Sequence, residues 1–205
     1  MPILYQHTIN STAKLAVWDI LEPIDFFSDQ LSVPLNISNP LKQRQHLAGR
    51  LLLRHVLPSF PVEKIRPNES GKPVLDGHPV HFSISHCDHY AAVIVSEKTS
   101  CGIDIECIKP KAVRILKKFI SEEEHANLFG NRNSLPSEEL ATLCWSIKES
   151  MFKWHGKGSV DFKKHLQILE LKNEGAASCR FQKDETVMLN VYFKKMNDFF
   201  LSWVI

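Results

Sequence analysis

Apolar residues recur with a helical period in two parts of the chain, and short strand-like runs follow each part. Segment 41–57, LKQRQHLAGRLLLRHVL, carries His46, Arg50 and Arg54 on one helical face and an apolar stripe on another. The stripe consists of Leu41, Ala48, Leu51, Leu52 and Val56. Segments 121–128 and 137–156 predict two further helices, the second ended by Gly156. Each begins with serine and has glutamate at or near the third residue after it, as in a capping box. Strand-like runs flank the helices at 3–7, 14–20, 81–85, 90–96, 101–106, 166–171, 185–193 and 199–205.

Two successive combinations of helix and strands define the expected architecture. In each half of the chain a helix precedes strands that are separated by turn-forming or polar residues. Short connections of this kind join antiparallel neighbours, so the sequence predicts an α+β fold. We expect an N-terminal lobe over 1–100 and a C-terminal lobe over 101–205, each with a helix packed on a small antiparallel sheet.

Composition limits the classes of partner more than it limits the fold. The 205 residues are 43% apolar and 23% charged, which is typical of globular proteins that fold in water. The net charge of +2 gives no sign of nucleic-acid binding, and no apolar run reaches the roughly 18 to 20 residues of a membrane helix. The first residues lack the pattern of a secretory signal, and the five cysteines form no C-x-x-C pair. We therefore expect a reduced, cytoplasmic protein that binds neither nucleic acid nor membrane.

The segment HFSISHCDHY, residues 81–90, concentrates histidines and a cysteine in a short stretch. A zinc site is one interpretation, but His86, Cys87 and His89 are too close together for the usual spaced ligand pairs. A catalytic triad of Ser85, His86 and Asp88 is another, but neighbouring side chains point apart and no G-x-S-x-G turn is present. Binding of an anion is the third, and the segment by itself leaves all three open.

The segment GIDIE, residues 102–106, brings two carboxylates to one face of a strand. Asp104 and Glu106 are two residues apart, whereas Ile103 and Ile105 face the opposite side. Neighbouring carboxylates repel each other unless a cation lies between them, and Mg²⁺ prefers such oxygen ligands. The pattern therefore indicates a magnesium site, with two solvated acids on an exposed strand edge as the alternative.

A second pair of charges lies in WSIKESMFK, residues 145–153. Glu149 and Lys153 share one helical face at a spacing of four residues. A surface salt bridge is the ordinary explanation for such a pair. Here bulky apolar residues flank the pair and predict a largely buried helix: Trp145, Ile147, Met151 and Phe152. A buried acid–base pair is a candidate functional site.

These segments, in this order, resemble the 4′-phosphopantetheinyl transferases, in particular the larger two-lobed class that activates peptide and polyketide synthases. The resemblance rests on GKPVL, HFSISHC, GIDIE, KFISEEEHANL and WSIKESMFKWHGKG, which lie within residues 71–158. LAGRLLLR is similar to the first helix of the family. The combination of GIDIE and WSIKES…K at this separation is the most specific part. The resemblance implies two similar lobes related by a pseudo-twofold axis, with the active site between them.

The resemblance also implies a reaction. A serine of an apo acyl or peptidyl carrier protein attacks the β-phosphate of coenzyme A, receives 4′-phosphopantetheine and releases adenosine 3′,5′-bisphosphate. Asp104, Glu106 and Glu149 would hold Mg²⁺ at the pyrophosphate. Glu149 would also take the serine proton, directly or through a bound water. Lys153 would bind the phosphate and neutralise charge on the leaving group.

Coenzyme A, the co-substrate, would also contact the N-terminal lobe. His86, which follows Ser85 at a strand end, matches the family histidine on the 3′-phosphate and ribose side of coenzyme A. Lys72 in SGKP would bind the adenine-side phosphate region, with Arg44 or Arg50 of the first helix nearby.

The resemblance implies coenzyme A and a carrier protein as partners, and we expect a monomer. A mostly apolar run after the metal motif is a candidate docking surface for the carrier, with core packing as the alternative: Val113, Ile115, Leu116 and Phe119. Two other functions stay open. One is a catalytically inactive coenzyme A-binding module of the same fold, and the other is a Mg²⁺-dependent phosphohydrolase of unrelated fold.

Overall fold

Residues 3–33, 37–69, 71–130 and 135–205 are described by the structure, a computed structural model. The chain divides into two compact units, residues 1–101 and 102–205. Both units combine helices with antiparallel strands, which confirms the α+β class of the fold. Within these ranges, no helix is both long enough and apolar enough to cross a membrane.

The N-terminal unit contains a four-stranded antiparallel sheet in the order β1-β2-β6-β5. Its strands are β1 (Ile3–Asn10), β2 (Ala13–Asp19), β3 (Arg66–Pro67), β4 (Pro73–Val74), β5 (His81–Cys87) and β6 (Tyr90–Ser96). The short strands β3 and β4 pair with each other outside that sheet. The strand β6 lies between β2 and β5, and α2 packs on it, so β6 is buried along its whole length.

Two helices accompany this sheet, α1 (Ile24–Ser28) and α2 (Pro40–Val56). The α2 helix begins where the Asn39 side chain accepts a hydrogen bond from the backbone N–H of Lys42, at 3.0 Å. Its predicted apolar stripe packs against the sheet, with one exception. Leu41 is 39% exposed, because burial of α2 begins only at Gln45 and the first turn carries no buried residue.

The C-terminal unit contains a five-stranded antiparallel sheet in the order β7-β11-β10-β9-β8. Its elements are β7 (Gly102–Cys107), α3 (Lys111–Phe119), α4 (Glu122–Leu128), α5 (Ser137–His155), β8 (Leu166–Lys172), β9 (Ala176–Gln182), β10 (Thr186–Met196) and β11 (Phe199–Val204). The long helix α5 packs on β7 and β11. The sequence did not predict α3 or β9, since AASCRFQ lacks the β-branched residues that favour a strand.

The helix termini follow the sequence in two of three cases. Ser121 and Glu124 form a complete capping box at the start of α4, and Gly156 ends α5 in a left-handed conformation with φ of 72°. The predicted capping box at Ser137 is wrong. Pro136 occupies the N-cap position and carries no side-chain cap, so Ser137 is already the first helical residue.

The cysteines differ from the expectation of a fully reduced chain. Cys101, Cys144 and Cys179 are free and buried. Cys87 and Cys107 are disulfide-bonded, so the expectation is wrong for these two residues.

Candidate active site

The strand β7 directs two carboxylates at α5. Asp104 is 2% exposed, and its Oδ1 lies 2.7 Å from Nζ of Lys153. Glu106 accepts, at Oε1, a hydrogen bond of 2.9 Å from the indole Nε1 of Trp145. A strand edge with two solvated acids is therefore not what this segment forms, because α5 covers the carboxylates.

A glycine makes this close contact between strand and helix possible. A Cβ atom at Gly102 would lie 2.0 Å from the carbonyl oxygen of Ser150 and 2.6 Å from the backbone nitrogen of Trp154. Both of those atoms belong to the α5 backbone, so no side chain could be accommodated between them and β7. The glycine at the start of GIDIE thus lets Lys153 reach Asp104.

Two glutamates near this pair have strongly raised pKa values. Burial, followed by the charge of Asp104, raises the pKa of Glu106 to about 7. Burial and the charge of Asp104 also raise the pKa of Glu149 to about 7. The charge of Lys153 opposes the rise in both cases. The three carboxyl groups are therefore close enough to repel one another, as expected of a site that favours a cation.

The donor chemistry of this site suits Mg²⁺, although a closed ligand cage is absent. In the described ranges, no three or more His, Cys, Asp or Glu side chains gather into a metal-binding group. The carboxylates of Asp104, Glu106 and Glu149 are nevertheless hard oxygen donors held in a partly water-excluded place with mutual repulsion. Mg²⁺ usually keeps several waters and takes only one or two protein carboxylates, so an incomplete protein cage is compatible with it.

Trp145 was predicted only as an apolar neighbour of the charged pair, and its hydrogen-bonding role was missed. Its indole packs edge-on to Phe119, at 5.0 Å between ring centroids, and stacks on Phe162 at 5.3 Å. The only sequence signal for its role is its place one turn before Glu149 on α5.

A cluster of basic side chains lies in the N-terminal unit, around α2 and β5. Burial, followed by the charges of Arg50 and His86, lowers the pKa of His46 to about 4. Burial also lowers the pKa of Arg50 to about 10. The Arg50 Nε atom is buried and makes no hydrogen bond within the described part of the chain. Desolvated positive charge of this kind favours an anionic ligand.

Close packing of α2 on β5 forms this cluster. A Cβ atom at Gly49 would lie 2.9 Å from Cγ2 of Ile84, so the helix and the strand approach each other where a side chain is lacking. His46 and Arg50 flank Gly49 on α2, and Arg50 donates to the His46 carbonyl oxygen at 3.3 Å. His46 was grouped with Arg50 on one helical face in the sequence, but it was not predicted as a site residue.

The remaining predicted residues of this unit have separate surroundings. Ser85 is buried and His86 is exposed, on opposite faces of β5, so the triad interpretation is wrong. Lys72 lies close enough to the buried thiol of Cys101 to oppose the rise in its pKa. Arg44 is half-buried on α2. Ser70, the first residue of SGKP, lies outside the described residues.

Comparison with known proteins assigns the chain to a family. A family model described as the 4′-phosphopantetheinyl transferase superfamily matches residues 100–202. The 4′-phosphopantetheinyl transferase psf-1 of Bacillus pumilus is 32% identical over 151 residues, which cover 69% of this chain and 62% of that protein. The 4′-phosphopantetheinyl transferase AcpT of Escherichia coli K12 is 30% identical over 152 residues, covering 67% of this chain and 75% of that protein. The chain belongs to the 4′-phosphopantetheinyl transferase superfamily.

The similarity to Sfp covers a smaller part of the relative's length. The 4′-phosphopantetheinyl transferase Sfp of Bacillus subtilis strain 168 is 33% identical over 118 residues, which cover 55% of this chain and 52% of Sfp. The chain thus spans about half of Sfp and three fifths of psf-1. The matched family segment contains the β7 carboxylates and the whole of α5.

Proposed function

We propose that this protein transfers 4′-phosphopantetheine from coenzyme A to a serine of an apo carrier protein. The serine oxygen would bond to the β-phosphorus while the bond between the two phosphates breaks, and adenosine 3′,5′-bisphosphate would leave. The observation that carries the proposal is the buried set of Asp104, Glu149 and Lys153 within the family-matched segment. It combines acidic and basic groups at one place, as phosphoryl transfer requires.

Glu149 is the proposed base. Without metal, burial and the charge of Asp104 raise its pKa to about 7, so its carboxyl group binds a proton more strongly than an exposed glutamate does. Lys153 is proposed to bind the phosphate side of coenzyme A and to stabilise charge on the leaving group. The Lys153 side chain is 23% exposed, so it is not sealed off from a ligand, and the ion pair with Asp104 keeps it in position.

Magnesium is proposed to be held by Asp104, Glu106 and Glu149. When bound, Mg²⁺ would neutralise the pyrophosphate and favour the ionised forms of these carboxyl groups. The raised pKa values of Glu106 and Glu149 support this. They mean that the positive groups of the protein, Lys153 included, do not fully neutralise the negative charge of these carboxylates.

The basic cluster of the N-terminal unit is the proposed site for the 3′-phosphate of coenzyme A. His86 was predicted for the 3′-phosphate side from the sequence, whereas Arg50 was predicted only to lie near the adenine-side phosphate region. His46 and Arg50 are added here because they share the electrostatic surroundings of His86. The Nε of Arg50 is buried and has no hydrogen-bond partner among the described residues, which supports an anionic ligand as its acceptor. Lys72, Arg44 and Ser85 stay predictions for the coenzyme A site.

The helix α3 is the proposed docking surface for the carrier protein. Of the four apolar residues predicted there, Phe119 is buried in the core. Val113 is 38% exposed and Leu116 is half-buried, and both line a groove with Lys117 and His125. Four basic residues lie on the same helix and would attract an acidic partner: Lys111, Arg114, Lys117 and Lys118.

Four further properties of the protein are proposed. These are the pseudo-twofold relation of the lobes, their separate roles in coenzyme A binding and metal binding, the monomeric state and the cytoplasmic location. Three free thiols agree with a reducing compartment, and the disulfide-bonded state of Cys87 and Cys107 does not.

Intact mass spectrometry of apo carrier proteins tests the proposal. Carriers of fatty-acid, polyketide and peptide synthases are incubated with coenzyme A, Mg²⁺ and the protein. We expect at least one carrier to gain the mass of one phosphopantetheine group, and its active-site serine→alanine variant to gain none. An unchanged mass for every carrier, combined with tight coenzyme A binding, would instead support an inactive binding module. Release of phosphate from coenzyme A without carrier modification would support a phosphohydrolase.

A further inference from the structure

Lys148, on α5, is a lysine whose side chain has no exposed surface. Its Nζ donates to the carbonyl oxygen of Phe119 at 2.7 Å, to that of Phe162 at 2.9 Å and to Oε2 of Glu124 at 2.8 Å. An ammonium group has three protons, and three acceptors surround this one. Lys148 is therefore a fully satisfied internal charge rather than a surface residue folded inward.

Its partner Glu124 is equally well bound. The Glu124 side chain is 4% exposed. It accepts the backbone N–H of Ile168 at 2.9 Å, and the backbone N–H of Ser121 at 3.0 Å in the capping box of α4. The pair thus joins α5 to the start of α4 and to the strand β8 in one connected network.

Stability is a weak explanation for such a pair. Removing two charges from water is unfavourable, and replacing a buried ion pair with apolar residues of similar volume is often neutral or stabilising. The pair has a second property: it fixes the position of groups around it, because the ammonium donates its three protons to three oxygens from separate parts of the chain.

The groups that the pair holds in position are the backbone carbonyls that accept from Lys148. Phe119 and Phe162, whose carbonyl oxygens bind its ammonium, are also the residues whose rings enclose the indole of Trp145. Trp145 in turn donates to Oε1 of Glu106 at 2.9 Å. The backbone that Lys148 holds is therefore the backbone that forms the aromatic slot, and the occupant of the slot contacts a proposed metal ligand.

We propose that Lys148 and Glu124 are positioning residues for Glu106. The pair holds the two phenylalanines, the phenylalanine rings hold the Trp145 indole in one orientation, and the indole N–H directs the Glu106 carboxylate. That this carboxylate serves phosphopantetheine transfer rests on the function proposed above, whereas its orientation by the pair does not.

The test replaces the pair by apolar residues of similar size, Lys148→Met with Glu124→Leu, in the full-length protein labelled with 5-fluorotryptophan. The ¹⁹F resonance of Trp145 is assigned by its loss in Trp145→Phe. Without metal, we expect the apolar pair to shift or broaden this resonance and to leave those of Trp18 and Trp203 in place. The matched control is Lys195→Met with Glu139→Leu, which removes a surface ion pair that also involves α5. The control should leave all resonances unchanged.

Mg²⁺ binding gives a second measurement, by calorimetry. A hydrogen bond to a charged group typically contributes about 1.5 to 3 kcal/mol, so loss of the Trp145 contact should weaken Mg²⁺ binding roughly ten- to a hundredfold. Trp145→Phe should have the same effect, and adding the apolar pair to Trp145→Phe should weaken binding no further. Effects that multiply would overturn the inference, because the pair would then act independently of Trp145.

Three further outcomes decide whether Lys148 and Glu124 position Glu106. A folded apolar-pair variant with wild-type Trp145 resonance and wild-type Mg²⁺ affinity would mean that the pair is only structural. If the variant does not fold, Phe162→Leu replaces it, since that change keeps the carbonyl oxygen and removes the stacked ring. Phe162→Leu should then shift the Trp145 resonance, and no shift would refute the chain of contacts. If the variants give the expected ¹⁹F response but the wild-type protein modifies no carrier, only the proposed function is refuted.

Discussion

Gly102 faces the carbonyl oxygen of Ser150 so closely that a Cβ atom at this glycine would lie 2.0 Å from it. The contact lies between the first residue of β7 and the last third of α5. Because both partners are backbone, neither can move without displacing a whole element. The position of Lys153 beside Asp104 depends on this contact.

Gly102→Ala should therefore destabilise the protein and remove transfer activity together. Overpacking of a well-packed core typically costs about 1 to 3 kcal/mol, and a backbone obstacle belongs at the upper end. Urea unfolding and the carrier mass assay measure the two effects. The matched control is Gly77→Ala, at a glycine with open space around it and a φ of +67°. It should cost about 1 kcal/mol and leave activity intact, so equal effects of the two variants would contradict the packing argument.

Asp104→Asn should abolish carrier modification at ordinary Mg²⁺ concentrations. The change keeps the shape of the side chain but removes the charge that pairs with Lys153 and that repels Glu106 and Glu149. We expect a loss of at least about a hundredfold in rate, as for removal of one electrostatic contact to a transition state. EDTA should inactivate the wild type, and the exposed variant Asp184→Asn should behave as wild type. Full activity without metal would contradict the proposed magnesium site.

Without metal, the protein should become less stable as the pH rises from about 4.5 to 7. Glu106 and Glu149 have folded-state pKa values of about 7, above the ordinary value of 4.5, so the folded state binds more protons across this interval. One such carboxyl group lowers the free energy of unfolding by about 3 kcal/mol once the pH exceeds 7. Urea unfolding in EDTA at pH 5 and pH 8 measures this loss.

Glu106→Gln should reduce that loss, and Mg²⁺ should reduce it in the wild type by binding the ionised carboxylates. The exposed variant Glu170→Gln on β8 serves as the control and should leave the pH dependence unchanged. A wild type that is equally stable at both pH values would mean that the two glutamates are not protonated in the folded state.

His86→Ala should weaken binding of coenzyme A far more than binding of 3′-dephospho-coenzyme A. A charge-assisted hydrogen bond to phosphate contributes about 1.5 to 3 kcal/mol, which is roughly a ten- to a hundredfold change in affinity. Calorimetry with both ligands measures the difference. His81→Ala, at the opposite end of β5, is the control and should change neither affinity. Equal weakening of both ligands by His86→Ala would exclude a contact with the 3′-phosphate.

Coenzyme A binding should take up protons between about pH 4 and pH 6.5. Burial and the charges of Arg50 and His86 lower the pKa of His46 to about 4, so this imidazole is neutral in the free protein over that interval. A phosphate nearby would raise its pKa again and favour the charged form. Binding enthalpies in two buffers of different ionisation enthalpy count the protons taken up. His46→Gln should remove part of the uptake, and an unchanged uptake would place the phosphate elsewhere.

The pattern of charged and apolar residues was enough to predict the strands β6 and β7 and the helices α2 and α5, since each is long or strongly periodic. The charges of GIDIE and WSIKESMFK were also enough to nominate Asp104, Glu106, Glu149 and Lys153. The patterns did not predict the helices α1 and α3, the strands β3, β4 and β9, or the roles of His46 and Trp145. An indole in an apolar run predicts packing, and only its neighbours in space reveal that its N–H contacts Glu106.

The sequence by itself determined which residues carry charge and which segments form helices and strands, because periodicity and turn chemistry act over a few neighbouring residues. Only the tertiary structure decided how deeply those charges are buried and what surrounds them. Lys148 and Glu149 are adjacent in α5, yet the first is enclosed by three oxygen acceptors and the second has a pKa raised to about 7. Desolvation and electrostatic coupling depend on groups brought together from distant parts of the chain. A local sequence pattern therefore cannot predict these effects.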